Sequence, residues 1–301
     1  MDSSNCSLKI IEISPPKKQT LLLPSSILGY IFKNANHFLL RKLHSTCKFF
    51  PGKYMYLILS EFSVQESDGL ESFEYEQKSM RLSIGHSKAK ELKNLYILTT
   101  FSFQNSNKQS LSKFIIPKIH RCEAKHIDIW GQNLSFSDFQ VLASTEHVRQ
   151  LYLEDVNIFI ENESDEKENE KEFPLENIIS HCLNATSITI NHIKSSNICC
   201  TKNTSIILAD LKLKSKLQTF FIAGLNDQLE PGDFCAFLKN NAAPKSVFTL
   251  SFKPLKNEYY QTKFDAQVNI TRQYWLPARN RPIVNLNFFT SFVQCDSRFC
   301  C

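Results

Sequence analysis

The sequence predicts a mixed α/β protein, on the border of the α+β and α/β classes: a small helical segment near the N-terminus, then a longer body of alternating short strands and helices. Three observations carry this. Residues 21–50 (LLLPSSILGYIFKNANHFLLRKLHSTCKFF) hold two short apolar stripes at helical spacing behind a proline. Downstream, segments such as 126–130 (HIDIW) and 186–190 (TSITI) alternate apolar and polar residues with the period of a strand. Finally, 301 residues with 42% hydrophobic content, including 24 Phe, exceed the usual single-domain size and can bury a substantial core.

In the first segment Pro24 suits the first position of a helix, where its missing N–H would have had no partner. Ile27, Leu28, Ile31 and Phe32 then fall at i, i+1, i+4 and i+5, one stripe of an amphipathic helix. Residues 33–37 (KNANH) are polar and short enough to join two helices. After them Leu39, Leu40, Leu43 and Cys47 repeat the stripe, Arg41, Lys42 and Lys48 take the other side, and Pro51-Gly52 ends the unit.

The body repeats a cycle. Strand 126–130 is followed by a predicted helix over 135–144 (SFSDFQVLAS), with serine and aspartate early in its first turn, and by strand 148–153 (VRQLYL). A helix over 174–182 starts at a proline, strand 186–190 follows, then a helix over 205–214 and strand 217–222 (LQTFFI). A last round has a helix opening at 230–233 (EPGD) and running to about residue 240, with strand 246–252 (SVFTLSF) after it. Strand centres near 129, 151, 188, 220 and 250 lie about 22, 37, 32 and 30 residues apart, within the range of stacked strand-helix repeats. A parallel, solenoid-like sheet is the economical fold, leucine-rich-repeat-like without the regular leucine and asparagine spacing of standard repeats. The competing arrangement is a compact α+β body. The expected organisation is a flexible N-terminus over 1–18, a helical domain over 19–60, a body over 61–290 and a tail over 291–301.

Composition narrows the function classes. The formal charge is +5, 35 basic against 30 acidic side chains. Within it, 161–172 (ENESDEKENEKE) carries seven acids and two lysines, a run too charged to pack and expected to be a disordered insertion. Elsewhere Lys and Arg are dispersed without interleaved aromatics, which argues against nucleic-acid binding. Residues 1–18 are polar and proline-interrupted, unlike a signal peptide, and no apolar run approaches the roughly 18 to 20 residues that span a bilayer, so an intracellular, non-membrane protein in cytoplasm or nucleus is expected. Ten cysteines, scattered apart from Cys199-Cys200 and Cys300-Cys301, then read as reduced thiols. The terminal pair has the look of a prenylated tail but lacks the four-residue signal, so a lipid there is not expected.

Enzyme signatures are missing. None of the seven glycines sits in a phosphate-cradling spacing, and there is no Gly-x-Ser-x-Gly turn or His-Glu-x-x-His helix. The group His181, Cys182, His192, Cys199 and Cys200 has metal-capable side chains, but vicinal cysteines fit zinc poorly, and buried thiols are the better reading. No cofactor or metal is expected. Trp130, Tyr152, Tyr259, Tyr260, Tyr274 and Trp275 are each expected in the core, with Tyr274-Trp275, between Arg272 and Arg279, the least core-like and hence the candidate for target contact.

Leu23-Pro24, Ile27-Leu28, Ile31-Phe32, Leu40, Leu43, Cys47-Lys48 and Phe49-Phe50 together resemble an F-box, the helical module that binds the Skp-family adaptor of cullin-based ubiquitin ligases. Ser26 stands where many members carry an acid, and Phe50 near the place where many carry tryptophan. With its strand-helix body the chain is similar to the nematode-type F-box proteins. The resemblance implies a non-enzymatic substrate receptor: Leu23, Pro24, Ile27, Leu28, Ile31, Phe32, Leu40, Leu43 and Cys47 bind the Skp-family adaptor and through it the cullin scaffold. The body holds an unknown target protein for ubiquitin transfer. The alternative is a non-catalytic interaction protein whose helical hairpin only caps the solenoid and binds no Skp adaptor.

Overall fold

The computed structural model describes residues 23–46, 56–66, 73–76, 78–143, 146–160, 173–191, 198–254 and 258–288. The 1–18 segment, Cys47, the acidic run 161–172, His192 and the tail with Cys300 and Cys301 lie outside the described residues. The chain divides into two units, Met1–Met55 and Tyr56–Cys301. The expected helical domain ended at residue 60, whereas Leu57 to Ser60 already belong to the first strand of the second unit.

In the first unit α1 spans Ser25–Asn34 and α2 spans His37–Thr46. Pro24 sits just before α1 rather than at its first helical position, and its carbonyl accepts the first helical hydrogen bond, from Leu28 N–H at 3.1 Å. Asn36 starts α2: its carbonyl accepts from Leu40 N–H at 3.0 Å and its side-chain oxygen from Leu39 N–H at 3.0 Å, the N-cap role of asparagine. The connection is therefore only Ala35 and Asn36, shorter than the predicted 33–37.

The second unit is built on a mostly parallel sheet of eleven strands. Its strands in chain order are β1 Leu57–Gln65, β2 Phe73–Glu76, β3 Ser79–Ser83, β4 Leu95–Gln104, β5 Ile119–Cys122, β6 His126–Trp130, β8 Gln150–Glu154, β11 Ser187–Asn191, β13 Leu217–Leu225, β14 Ala242–Phe252 and β15 Ile283–Phe288. Two short pairs stand apart from it, β7 Asn133–Ser135 with β9 Asn157–Phe159, and β10 Phe173–Pro174 with β12 Ile198–Cys199. From β4 onward the order β4-β6-β8-β11-β13-β14-β15 follows the sequence, each strand lying beside the next. The other end is different: β2 pairs antiparallel with β3, and β3 lies on the far side of β1 from β4.

The helices between strands are α3 Ser87–Glu91, α4 Phe136–Ala143, α5 Leu175–His181, α6 Lys202–Asp210, α7 Pro231–Asn241 and α8 Glu258–Gln273. The starts of α5 to α8 are 27, 29 and 27 residues apart. From α4 to α5 the step is 39 residues, which also becomes 27 when the twelve residues of 161–172 are set aside. The predicted helix over 205–214 begins three residues earlier, because Thr201 and Thr204 form a reciprocal capping box that fixes its start. Strands β1, β4 and β15 and the polar helix α8 were not foreseen. In α8 the buried side chains are Tyr260, Phe264, Val268 and Thr271, a single narrow stripe.

Two apolar rungs keep their register across the sheet from β3 to β15. Met80, Phe62, Phe101, Ile127, Leu151, Ile188, Phe220, Phe248 and Val284 stand side by side. Two residues on, Leu82, Val64, Phe103, Ile129, Leu153, Ile190, Ile222, Leu250 and Leu286 form a second rung. These side chains face the helices: Phe220 meets Phe237 of α7 at 5.2 Å, Phe248 meets Phe234 at 6.4 Å and Phe252 meets Phe264 of α8 at 5.2 Å between ring centroids. Each such buried side chain contributes roughly 1.5 to 3 kcal/mol of transfer free energy.

Polar side chains tie one strand-helix unit to the next. Gln132, fully buried, accepts from Leu111 N–H at 3.1 Å and donates to the carbonyls of Asn105 and Asn107 at 2.8 and 3.1 Å. Asn241, also fully buried, accepts from Leu213 N–H at 2.8 Å and donates to Leu211 O at 2.8 Å. Ser205 accepts from Glu230 N–H and donates to Asp233, both at 2.8 Å.

Phe220→Ala should lose about 3 to 5 kcal/mol of stability, while Thr219→Ala, on the opposite face of the same strand, should stay within about 0.5 kcal/mol. Urea unfolding compares them, and equal losses would show that the aromatic rung is not the core.

Candidate functional site

Two surfaces come forward, one in each unit. In the first unit the predicted apolar stripe splits. Leu28, Phe32 and Leu40 are buried, whereas Leu23, Pro24 and Ile27 are exposed and Ile31 and Leu43 half-buried. The correction has a simple cause: residues at i and i+4 share a line along a helix, so Leu28/Phe32 and Ile27/Ile31 form two adjacent lines, and only the first lies inside. Tyr30 (71% exposed) and Phe38 (70%) join Ile27 and Leu39 outside, two aromatic residues not included in the predicted surface. Their signal was an aromatic at a position where the helical period calls for a polar residue.

In the second unit the candidate target residues separate. Trp275 packs against the core, while Tyr274, one residue earlier, is 76% exposed, as is Leu276 beside it. Arg272, two residues before the exposed Tyr274, donates from Nε to Pro282 O at 3.3 Å. Tyr260 is buried and Tyr259 exposed.

A larger feature lies on the sheet face opposite the apolar rungs. Alternation places Ser63, Ser102, Asp128, Tyr152, Thr189, Phe221, Thr249 and Asn285 in one row across it, and all are half-buried or exposed. A second row holds Glu61, Thr100, His126, Gln150, Ser187 and Thr219, and Trp130 and Glu154 pair in a third. The middle of this face is ordered by side-chain bonds. His126 Nδ1 lies 2.8 Å from Gln150 Oε1, Trp130 Nε1 donates to Asp128 Oδ1 at 2.6 Å, and the Tyr152 hydroxyl donates to Glu154. Trp130 and Tyr152 stack with centroids 5.6 Å apart and planes at 27°.

Two depressions flank that stack. One, of about 460 Å³, is lined by Thr100, Ser102, His126, Ile127, Asp128, Gln150 and Tyr152. The other, of about 200 Å³, lies at the carboxyl ends of the strands and is lined by Glu66, Gln104, Asn105, Ser106, Trp130, Gly131, Glu154 and Asp155. Gly131, at φ +64°, turns the chain there in the left-handed region that glycine tolerates. Burial, and then the nearby charge of Glu154, push the Asp128 carboxyl above its ordinary range, against the opposing hydrogen bonds from Trp130 and Ser102.

Of the metal-capable group of the sequence, His181, Cys182, Cys199 and Cys200 are described. His181 Nδ1 donates to Asn177 O at 2.9 Å, which leaves Nε2 to accept from Gln140 Nε2 at 3.0 Å, so both ring nitrogens are used within the fold. Cys182 and Cys200 are buried free thiols, and burial pushes the Cys182 thiol up to about 12. Among the described residues no three His, Cys, Asp or Glu side chains are grouped to hold a metal ion. Nor, among the described residues, is any helix long and apolar enough to cross a membrane.

No family model, no curated protein and no solved structure matches this chain.

Two outcomes are expected. A carboxyl whose folded pKa is raised costs stability once it ionises, so wild type should lose stability as pH rises from the unfolded pKa of about 4 through the folded value. Asp128→Asn should therefore melt higher than wild type at pH 7, with the difference vanishing at acid pH; a lower melting temperature at pH 7 would refute it. The Cys122 thiol, pushed up to about 12 by burial, and the Cys182 thiol should resist iodoacetamide in the native protein and react after unfolding, as read by peptide mass spectrometry.

Proposed function

We propose that this protein is a non-enzymatic substrate receptor of an SCF-type cullin-RING ubiquitin ligase. Its first unit is an F-box that binds a Skp-family adaptor, and its second unit, a leucine-rich-repeat-like body, holds a target protein in cytoplasm or nucleus. The observation that carries the reading is the proline-started helical hairpin whose apolar residues are divided between inside and outside. Leu28, Phe32 and Leu40 are at most 3% exposed, while Leu23 and Ile27 are 45% and 46% exposed. Apolar side chains of that size held in water by a short hairpin suit a protein partner. The body adds support through an ordered sheet face with two depressions, bonded side chain to side chain and suited to holding rather than transforming a partner. The physical contribution of such a receptor is effective concentration: a tethered target lysine meets the charged ubiquitin enzyme intramolecularly.

Co-precipitation of the full chain with a purified Skp-family adaptor tests the reading. Wild type should bind, and Leu23→Ala/Pro24→Ala and Ile27→Ala, whose side chains are exposed, should fold by circular dichroism yet lose binding. Leu40→Ala instead should cost on the order of 2 to 5 kcal/mol of folding stability. A folded wild type that captures no adaptor would overturn the F-box reading and leave an interaction protein without a ligase role.

A further inference from the structure

We propose that the open sheet face around β4, β6 and β8 binds an extended protein segment carrying two basic side chains at i and i+2, one on each side of the Trp130–Tyr152 stack. The inference rests on the reading of the body as the part that holds a target, and it names the chemistry of that target.

Charge is the first argument. The chain as a whole is formally +5, so an acidic surface is not a by-product of composition. Yet, among the described residues, the smaller depression is lined by the carboxylates of Glu66, Glu154 and Asp155 and by no basic side chain, and the larger one by Asp128 together with the imidazole of His126. Among the described residues neither Asp128 nor Glu154 forms an ion pair; their oxygens accept from the neutral donors Trp130 and Tyr152. These two bonds fix the carboxylates on either side of the stack, and the charge of Glu154 adds to the electrostatic cost of ionising Asp128. A cation brought between or beside them relieves that repulsion, in a half-buried setting where it is screened less than on an open surface.

The second argument is the stack. Trp130 and Tyr152, half-buried on adjacent strands, stack with planes at 27°, and aromatic rings of this kind attract a guanidinium or ammonium group. Spacing is the third. Asp128 belongs to the larger depression and Trp130, two residues further along β6, to the smaller. Two residues of strand span about 6.6 to 7 Å, the same distance that separates side chains on one side of an extended partner. A segment lying along β6 therefore delivers its i residue to Asp128 and its i+2 residue to Glu154. A helical partner repeats its side chains every three or four residues and misses this step.

Fluorescence anisotropy of the full chain with short labelled peptides tests the proposal. The probes are an extended peptide whose only charged side chains are Arg at i and i+2, the same composition with adjacent Arg, and an acidic counterpart. The i, i+2 peptide should bind at least about tenfold tighter than either control, a difference of about 1.4 kcal/mol. Asp128→Asn/Glu154→Gln, which keeps shape and hydrogen-bond acceptors, should remove most of that preference, whereas Glu230→Gln, on the helical side, should not. Equal binding of all peptides, no binding at all, or a preference unchanged in the double variant would overturn it. Adaptor co-precipitation from the same preparations is independent of these side chains, so failure of the peptide site and failure of the F-box reading give different results.

Discussion

Parallel register is the constraint on which the second unit depends. A strand alternates its side chains with a period of two, so one residue of slip in any strand would turn its whole apolar row toward the wrong face. The rung from Met80 to Val284 holds without such a slip across consecutive strands. Irregularities occur, between Leu59 and Glu61 in β1 and on both sides of the central pairing of β13 with β14, but they lie before or after the two apolar rungs and leave the phase of both intact. One face is thereby committed to the helices, and the other is left for polar chemistry.

What keeps successive units in phase is as much polar as apolar. A parallel sheet with helices along one face buries the turns at the strand ends, and those turns carry backbone groups that need partners. Gln132 and Asn241 supply them, each with both a donor and an acceptor engaged on the neighbouring unit. Removing such a side chain would leave several buried groups unsatisfied at about 1 to 3 kcal/mol each. Apolar contacts alone would tolerate sliding of one unit against the next; these directional bonds do not.

The two candidate surfaces use different physics. On the helical hairpin the exposed groups are apolar, Ile27, Tyr30, Phe38 and Leu39, so association there would be driven by removal of surface from water and be little affected by salt. On the sheet face the groups are carboxylates held by aromatic donors, which gives orientation and charge selectivity, with a strength that falls as ionic strength rises.

Much of the architecture was legible in the sequence because period-two and period-3.6 patterns arise from local geometry. The strands around 126–130, 186–190 and 246–252 and the helices that begin at or just after Pro24, Pro174 and Pro231 all follow from neighbours in the chain. Helix α8 gives a weak helical signal because its apolar stripe is narrow, and β1 and β4 open on unbroken apolar runs, LIL and LYIL, whose periodicity does not separate strand from helix. The sequence by itself determined the helix or strand character of those segments and that the body alternates the two. Only the tertiary structure decided that Leu28 lies inside and Ile27 outside, that Trp275 belongs to the core and Tyr274 does not, and that Asp128, Trp130, Tyr152 and Glu154 meet on one face. The reason is physical: side-chain direction within an element is set locally, but which direction is inside, and which strands become neighbours, is set by packing between residues far apart in the chain.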